Sequence, residues 1–481
     1  MKKKMASLLA CALIFSAFTG CGSNGATEQT SDMVSNVVNT ESAEKNTIEE
    51  AQKKQPVIHD EARIDKTPTI EETTLVDQDG VKITATSLEY SDYSVDLNIK
   101  IENSTDNDIT VYSNTIFTGA NYVNDFAISD GYLSCDVPAG GTADDVMSFE
   151  ADSLLLYGIS KVAKFNLNFN VEQDLSSSIE DSDYDEKYSD SEDILYSDCE
   201  LVTSIGDSFE FSPDAYHEAI QNRAGLIGYE VVYFSDEPAF EYDTFNVESQ
   251  CIIKKDDGYI ALVEVYNKYQ EPINVSVNDI YLNDIGVYSG VWNGENLLAN
   301  KHCILSIDLS SVINDAAQEA YGINDVKTLS LTINVTDAGN NPLIDDIEIP
   351  INIDDSATVD LSGSELYNED GIRIIDKGLA GPSSEYDSSF YWLLEIENTS
   401  DKEIHISVDD YDNELTINGI STDGYGDCES KGHDVTAFIV DFPYVKDNMN
   451  LNSIDDITSI VACIELEYEE DTNTITLNYN K

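Results

Sequence analysis

The chain has 481 residues, with 93 Asp and Glu against 25 Lys and Arg, for a formal net charge of −68. Such an acidic balance excludes the basic footprint that nucleic acid or anionic lipid head groups require, and it favours solubility. A hydrophobic content of 41%, with 27 Tyr and 2 Trp, still permits well-packed cores, and the Tyr-, Ile-, Val- and Thr-rich patches favour strands.

Residues 1–20 read as an export signal. Lys2, Lys3 and Lys4 form a basic start, and the apolar run that follows is too short to span a bilayer. The run closes on Phe18-Thr19-Gly20-Cys21, which resembles a bacterial lipobox, with Phe18 where Leu is usual. The resemblance implies that Cys21 is lipidated and becomes the first mature residue. Removing the signal, with three Lys and no acid, takes the charge from −68 to −71.

Residues 21–72 read as a disordered tether. The stretch lacks Phe, Tyr and Trp and is rich in polar residues, so it buries too little apolar surface to order itself. As a flexible coil it would span about 40 Å.

The rest repeats three times. Leu97-x-Ile99-x-Ile101-Glu102-Asn103 is followed by Ile109-x-Val111. Ala261-x-Val263-x-Val265-Tyr266-Asn267 is followed by Ile273-x-Val275, and Trp392-x-Leu394-x-Ile396-Glu397-Asn398 by Ile404-x-Ile406. The period of two predicts half-buried strands, with Asn satisfying the turn between them as in a hairpin. Trp392 falls on the inward series. At a constant distance of 56 from each Asn stand Ile159, Ile323 and Ile454 (159 − 103, 323 − 267, 454 − 398). Each opens a short turn or 3₁₀ segment that feeds another core strand. Asp79-Gly80-Val81 and Asp370-Gly371-Ile372 repeat the start of the unit.

Units of this length, built of short strands, predict an all-β chain of three tandem β-sandwiches. The order resembles the tandem immunoglobulin-like domains of uncharacterised Gram-positive bacterial surface lipoproteins. That resemblance implies an extracellular, membrane-anchored protein with no assigned reaction. The expected domains are 73–203, 239–355 and 364–481, with an acidic insertion at 174–200 and a connector at 204–238. The connector includes a helix candidate that starts at Ser212-Pro213, and the strand candidate Leu226–Phe234.

Candidate sites are few. Asp181, Asp183, Asp185 and Glu192 fall at positions 1, 3, 5 and 12 of a loop that imitates a calcium-binding loop, but Glu186 stands where the sharp turn needs Gly. A solvated acidic loop competes with that reading. Tyr288 and Trp292 lie in a glycine-punctuated loop, where an aromatic ring could stack on a sugar or anchor a partner, or pack over the end of a sandwich. His302 and His433 both stand 35 residues after the corner Asn and are expected as surface residues flanking strands. Cys135, Cys199, Cys251, Cys303, Cys428 and Cys463 allow three disulfides or six thiols. No Gly-x-Ser-x-Gly or His-Glu-x-x-His motif occurs, and among 93 acids no carboxylate pair stands out.

The expectation is therefore a lipid-anchored binding or structural module on the extracellular face of the membrane. It is not expected to be an enzyme, to carry a cofactor or to bind nucleic acid. Its partner would be a surface protein or a glycan. The alternative is a carbohydrate- or cell-wall-directed protein, with an unrecognised hydrolase third.

Overall fold

The computed structural model describes residues 63–115, 119–173, 194–209, 229–255, 258–287, 294–309, 315–354, 356–382, 388–408, 415–449, 451, 453–468 and 471–481. The chain divides into the units Met1–Lys54, outside the described residues, and Gln55–Lys481. The second unit is built of strands arranged as three tandem β-sandwiches. The alternating residues read from the sequence face inward: Leu97, Ile99, Ile101, Val263, Val265, Leu394 and Ile396 are all essentially inaccessible. Trp392 is fully buried in the third core, and its Nε1 donates to Asp376 Oδ1 at 3.0 Å.

The first sandwich pairs Val81–Tyr90 with Ser94–Asn103, and Ser94–Asn103 with Thr142–Glu150. Its second sheet centres on Lys164–Gln173. Phe245–Lys255, Gly258–Asn267 and His302–Asp308 repeat the first sheet in the second sandwich. Ile372–Ala380, Phe390–Asn398 and Val435–Phe442 repeat it in the third.

The strand-Asn-strand element is not a hairpin. Ser94–Asn103 lies in one sheet, and Ile109–Ser113 pairs with Leu133–Val137 and Lys164–Gln173 in the other. The chain turns a corner between layers, because both strands bury alternate residues in the same core. The Asn braces that corner. Asn103 Nδ2 donates to the carbonyls of Asn107, Val137 and Pro138 at 2.8–3.2 Å, and its Oδ1 accepts the Thr105 N–H. Asn267 binds Glu271, Leu297 and Leu298 in the same way, and Asn398 binds Lys402, Ser430 and Lys431.

The landmark 56 residues on matches short helical segments. Ala151–Leu156 and Asp315–Tyr321 end at Gly158 and Gly322, whose φ of 76° and 70° suits glycine at a helix C-terminus. Ile454–Asp456 is a 3₁₀ turn capped by Ser453.

Three expected boundaries move. The described end of the tether is pinned to the first sandwich: Ile64 is buried, Asp65 N–H donates to Ser160 O, and Thr69 exchanges hydrogen bonds with Ser204. The insertion yields its last residues to the strand Ile194–Val202, which pairs with Lys164–Gln173 and buries Tyr196 and Leu201. The end of the connector, Glu230–Ser235, is an edge strand of the second sandwich, paired with Phe245–Lys255. The helix candidate lies outside the described residues.

Candidate functional site

Each sandwich carries a second Asn turn that fixes a protruding hairpin. Asn124-Asp125, Asn283-Asp284 and Asn418-Gly419 all hold positive φ, between 50° and 75°, as tight two-residue hairpins require. The Asn side chain locks each hairpin to its own sandwich. Asn124 Oδ1 accepts N–H groups of Ala163 and Lys164, Asn283 those of Lys327 and Thr328, and Asn418 those of Thr458 and Ser459.

The first two hairpins join neighbouring sandwiches. Phe126 pairs in parallel with His302, so the second sheet of the first sandwich continues into the first sheet of the second. Gly286 and Val287 pair in parallel with Thr436 and Ala437, carrying the second sandwich into the third. The cores follow. Tyr229, Cys251, Leu262 and Ile304 of the second sandwich pack in the first hydrophobic cluster. Ala380, Leu393 and Ala437 of the third pack in the second.

The first seam is rich in buried polar groups. Tyr122 Oη donates to Asn296 O at 3.0 Å and accepts the Leu298 N–H at 2.9 Å. Lys301 Nζ reaches Asp125 at 2.6 Å and Asn166 at 2.9 Å, and Lys164 holds the other Asp125 oxygen at 2.7 Å. Burial opposes the Asp125 charge, but the two ammonium groups hold its carboxyl below the usual range. His302 Nδ1 lies 3.0 Å from Glu264 Oε1, and Ser249 Oγ donates to Glu264 Oε2 at 2.7 Å. Burial pushes nearby Glu295 up to about 7.

The His302–Glu264 distance is that of a base with its orienting carboxylate. However, the ring is stacked between Phe126 (4.9 Å) and Tyr266 (4.4 Å) and is only 6% exposed. It joins two domains. This corrects the expectation of a surface histidine. Nor do His302 and His433 share a slot: His302 faces Tyr266 across the sheet, and its counterpart facing Glu397 is Val435. His433 sits in a turn beside Asp401.

The second seam reuses the hairpin tyrosine but not the Lys–Asp positions. Tyr281, the counterpart of Tyr122, donates to Asp434 Oδ2 at 2.6 Å, and Lys431 meets Asp279 at 2.8 Å. Tyr321 Oη donates across the seam to Leu394 O at 2.8 Å.

Cys21, Asp181, Asp183, Asp185, Glu192, Tyr288 and Trp292 all lie outside the described residues. Among the described residues no three His, Cys, Asp or Glu side chains gather as a metal site. The six described cysteines are free thiols. Cys135 and Cys428 occupy matching positions, opposite Val111 and Ile406.

The hairpin asparagines were missed by the sequence reading, although Asn-Asp and Asn-Gly dipeptides are strong hairpin signals. Their distance from the corner Asn varies (124 − 103 = 21, 283 − 267 = 16, 418 − 398 = 20), so a search for constant spacing passes over them.

No family model matches the chain, and no curated protein does. Among solved structures, the exo-chitosanase CsxA of Amycolatopsis orientalis aligns at 11% identity and TM-score 0.14, covering 44% of this chain and 25% of that one. A protein of unknown function from Porphyromonas gingivalis W83 aligns at 13% identity and TM-score 0.13, over 47% of this chain and 92% of that one. The BSP domain of a biofilm associated protein aligns at 9% identity and TM-score 0.12, over 80% and 63%. The chain spans a quarter of the exo-chitosanase's length. Likenesses at these TM-scores carry no argument about function.

Proposed function

We propose that the chain is a lipid-anchored extracellular surface protein whose three sandwiches act together as a binding or structural module and not as an enzyme. The observation that carries this reading is the pair of seams. Sheets run from one sandwich into the next, and the buried Lys, Asp, His and Glu groups of the first seam bond one another, as a mechanical joint requires. The signal and Phe18-Thr19-Gly20-Cys21 support the address, and a diacyl-lipidated Cys21 gives stable attachment. Replacing Cys21 with Ser should shift the protein from the membrane fraction to the medium or leave it unprocessed. Unchanged membrane association would overturn the anchor.

A glycan-directed reading has one observation in its favour. Tyr132 and Tyr425 are 59% and 61% exposed, and each stands five residues before the strand residue that faces the start of the post-corner strand (Val137 and Ser430). Exposed aromatic rings at a repeated position suit stacking on sugar faces. Under this reading the full chain should sediment with insoluble cell-wall glycan, and Tyr132→Ala with Tyr425→Ala should abolish it. Equal sedimentation of the variant, or none by the parent, would remove it.

A further inference from the structure

Glu264 and Glu395 stand at one register position, three residues before the corner Asn of their sandwiches, on the sheet face turned toward the preceding sandwich. Both are essentially inaccessible, at 1% and 0%. Their surroundings differ. Glu264 takes a hydrogen bond from Ser249 and lies beside His302. Among the described residues, neither carboxylate oxygen of Glu395 has a hydrogen-bond donor. The nearest described cation, Lys377 Nζ, stops at 3.6 Å and instead donates to the carbonyls of Asp360 and Ser362 at 2.6 and 3.0 Å. The other titratable groups facing Glu395 offer no relief. Asp360 and Glu397 are acids, and Glu397 already holds Arg373 at 3.0 Å. Tyr321, from the helix Asp315–Tyr321 across the seam, gives its hydroxyl proton to Leu394 O. Farther along the seam, Lys431, Asp279, Tyr281 and Asp434 engage one another.

We propose that the seam between the second and third sandwiches is a proton-operated joint: it is closed while Glu395 is neutral and loosened when Glu395 ionises. A carboxylate charge without donors is costly in a buried interface, so opening the seam to water becomes favourable once the proton leaves. Burial raises the Glu395 carboxyl most, with Lys377 partly opposing, to about 7. In the open seam the group regains water and the ordinary carboxylate range. Closing therefore binds a proton. Seam stability is complete below that range, falls as pH rises, and levels off above about 7. The inference does not depend on what the protein binds.

The test is amide hydrogen exchange on the full chain, corrected for intrinsic rates, at pH 6 and pH 8. Exchange at Ala437 should rise about tenfold from pH 6 to pH 8. Glu395→Gln and, with no polar group at all, Glu395→Leu should each flatten that rise. Lys377→Met, which removes the nearest described cation, should extend the rise to higher pH. No rise at Ala437, or a rise retained in both Glu395 variants, would overturn the proposal.

Discussion

Five residues before the corner Asn, the second and third sandwiches carry Leu262 and Leu393, both buried under a neighbour, while the first carries Asn98. Facing Glu264 and Glu395 across the sheet are Ile304 and Ala437, whereas Lys100 of the first sandwich faces Asp144, which is exposed. The other end differs in the same sense. The hairpins that enter seams carry Tyr122 and Tyr281, and the last hairpin carries Thr416. Phe126 and Ile285 are each 1% exposed, and their counterpart Ile420 is 57% exposed. One backbone design thus serves as a joint or as an uncovered face: Asn98 replaces the buried Leu on the first sandwich and Thr416 replaces Tyr on the last hairpin, while Ile420 stays apolar and exposed.

The largest expected effect is at the third core. Ile396→Asp places a charge at a fully buried site beside Trp392 and Phe438 and should cost about 4 kcal/mol or more in urea unfolding. Because the second core shares Leu393 and Ala437 and the first seam ties in the first sandwich, the substitution should lower the urea midpoint of all three sandwiches together.

A matched pair sharpens the contrast between joint and terminus. Leu393→Asp should cost about 3 kcal/mol, while Asn98→Asp, at the same register on the outer face of the first sandwich, should stay within about 0.5 kcal/mol. Similar costs for the two would show that the polarity difference does not matter. Asn398→Ala strips donors from three corner carbonyls and should cost about 2 kcal/mol, read as a lowered urea midpoint at constant slope. A smaller loss belongs to Tyr281→Phe, which removes only the hydroxyl bonded to Asp434. It should cost about 1 kcal/mol, and Thr416→Val at the unjoined hairpin should cost nothing measurable.

Much of the fold was legible because its landmarks keep constant spacing. Asn103, Asn267 and Asn398, with the helical turns 56 residues later, place the core strands directly. Period-two alternation cannot distinguish a hairpin from a corner between sheets, since both bury alternate residues of two successive strands. That is why Asn103 was read as a hairpin residue. The end of the tether escaped because Asp65 and Thr69 are held by Ser160 and Ser204, which are distant in sequence. The seams escaped for a stronger reason. Each rests on one or two parallel backbone pairs and on side chains far apart in the chain, such as Lys301 with Asp125. His302 illustrates the consequence: a histidine beside a turn looks exposed until a neighbouring sandwich covers it.

The central claim is that the seams couple three sandwiches into one cooperative body. It is tested most directly by pulsed hydrogen exchange on the full chain across a urea gradient, following Val81–Tyr90, Gly258–Asn267 and Phe390–Asn398 as reporters of the three sandwiches. Coupled sandwiches should lose protection together, at one midpoint. Three separate midpoints, each unaffected by Leu393→Asp, would contradict the account.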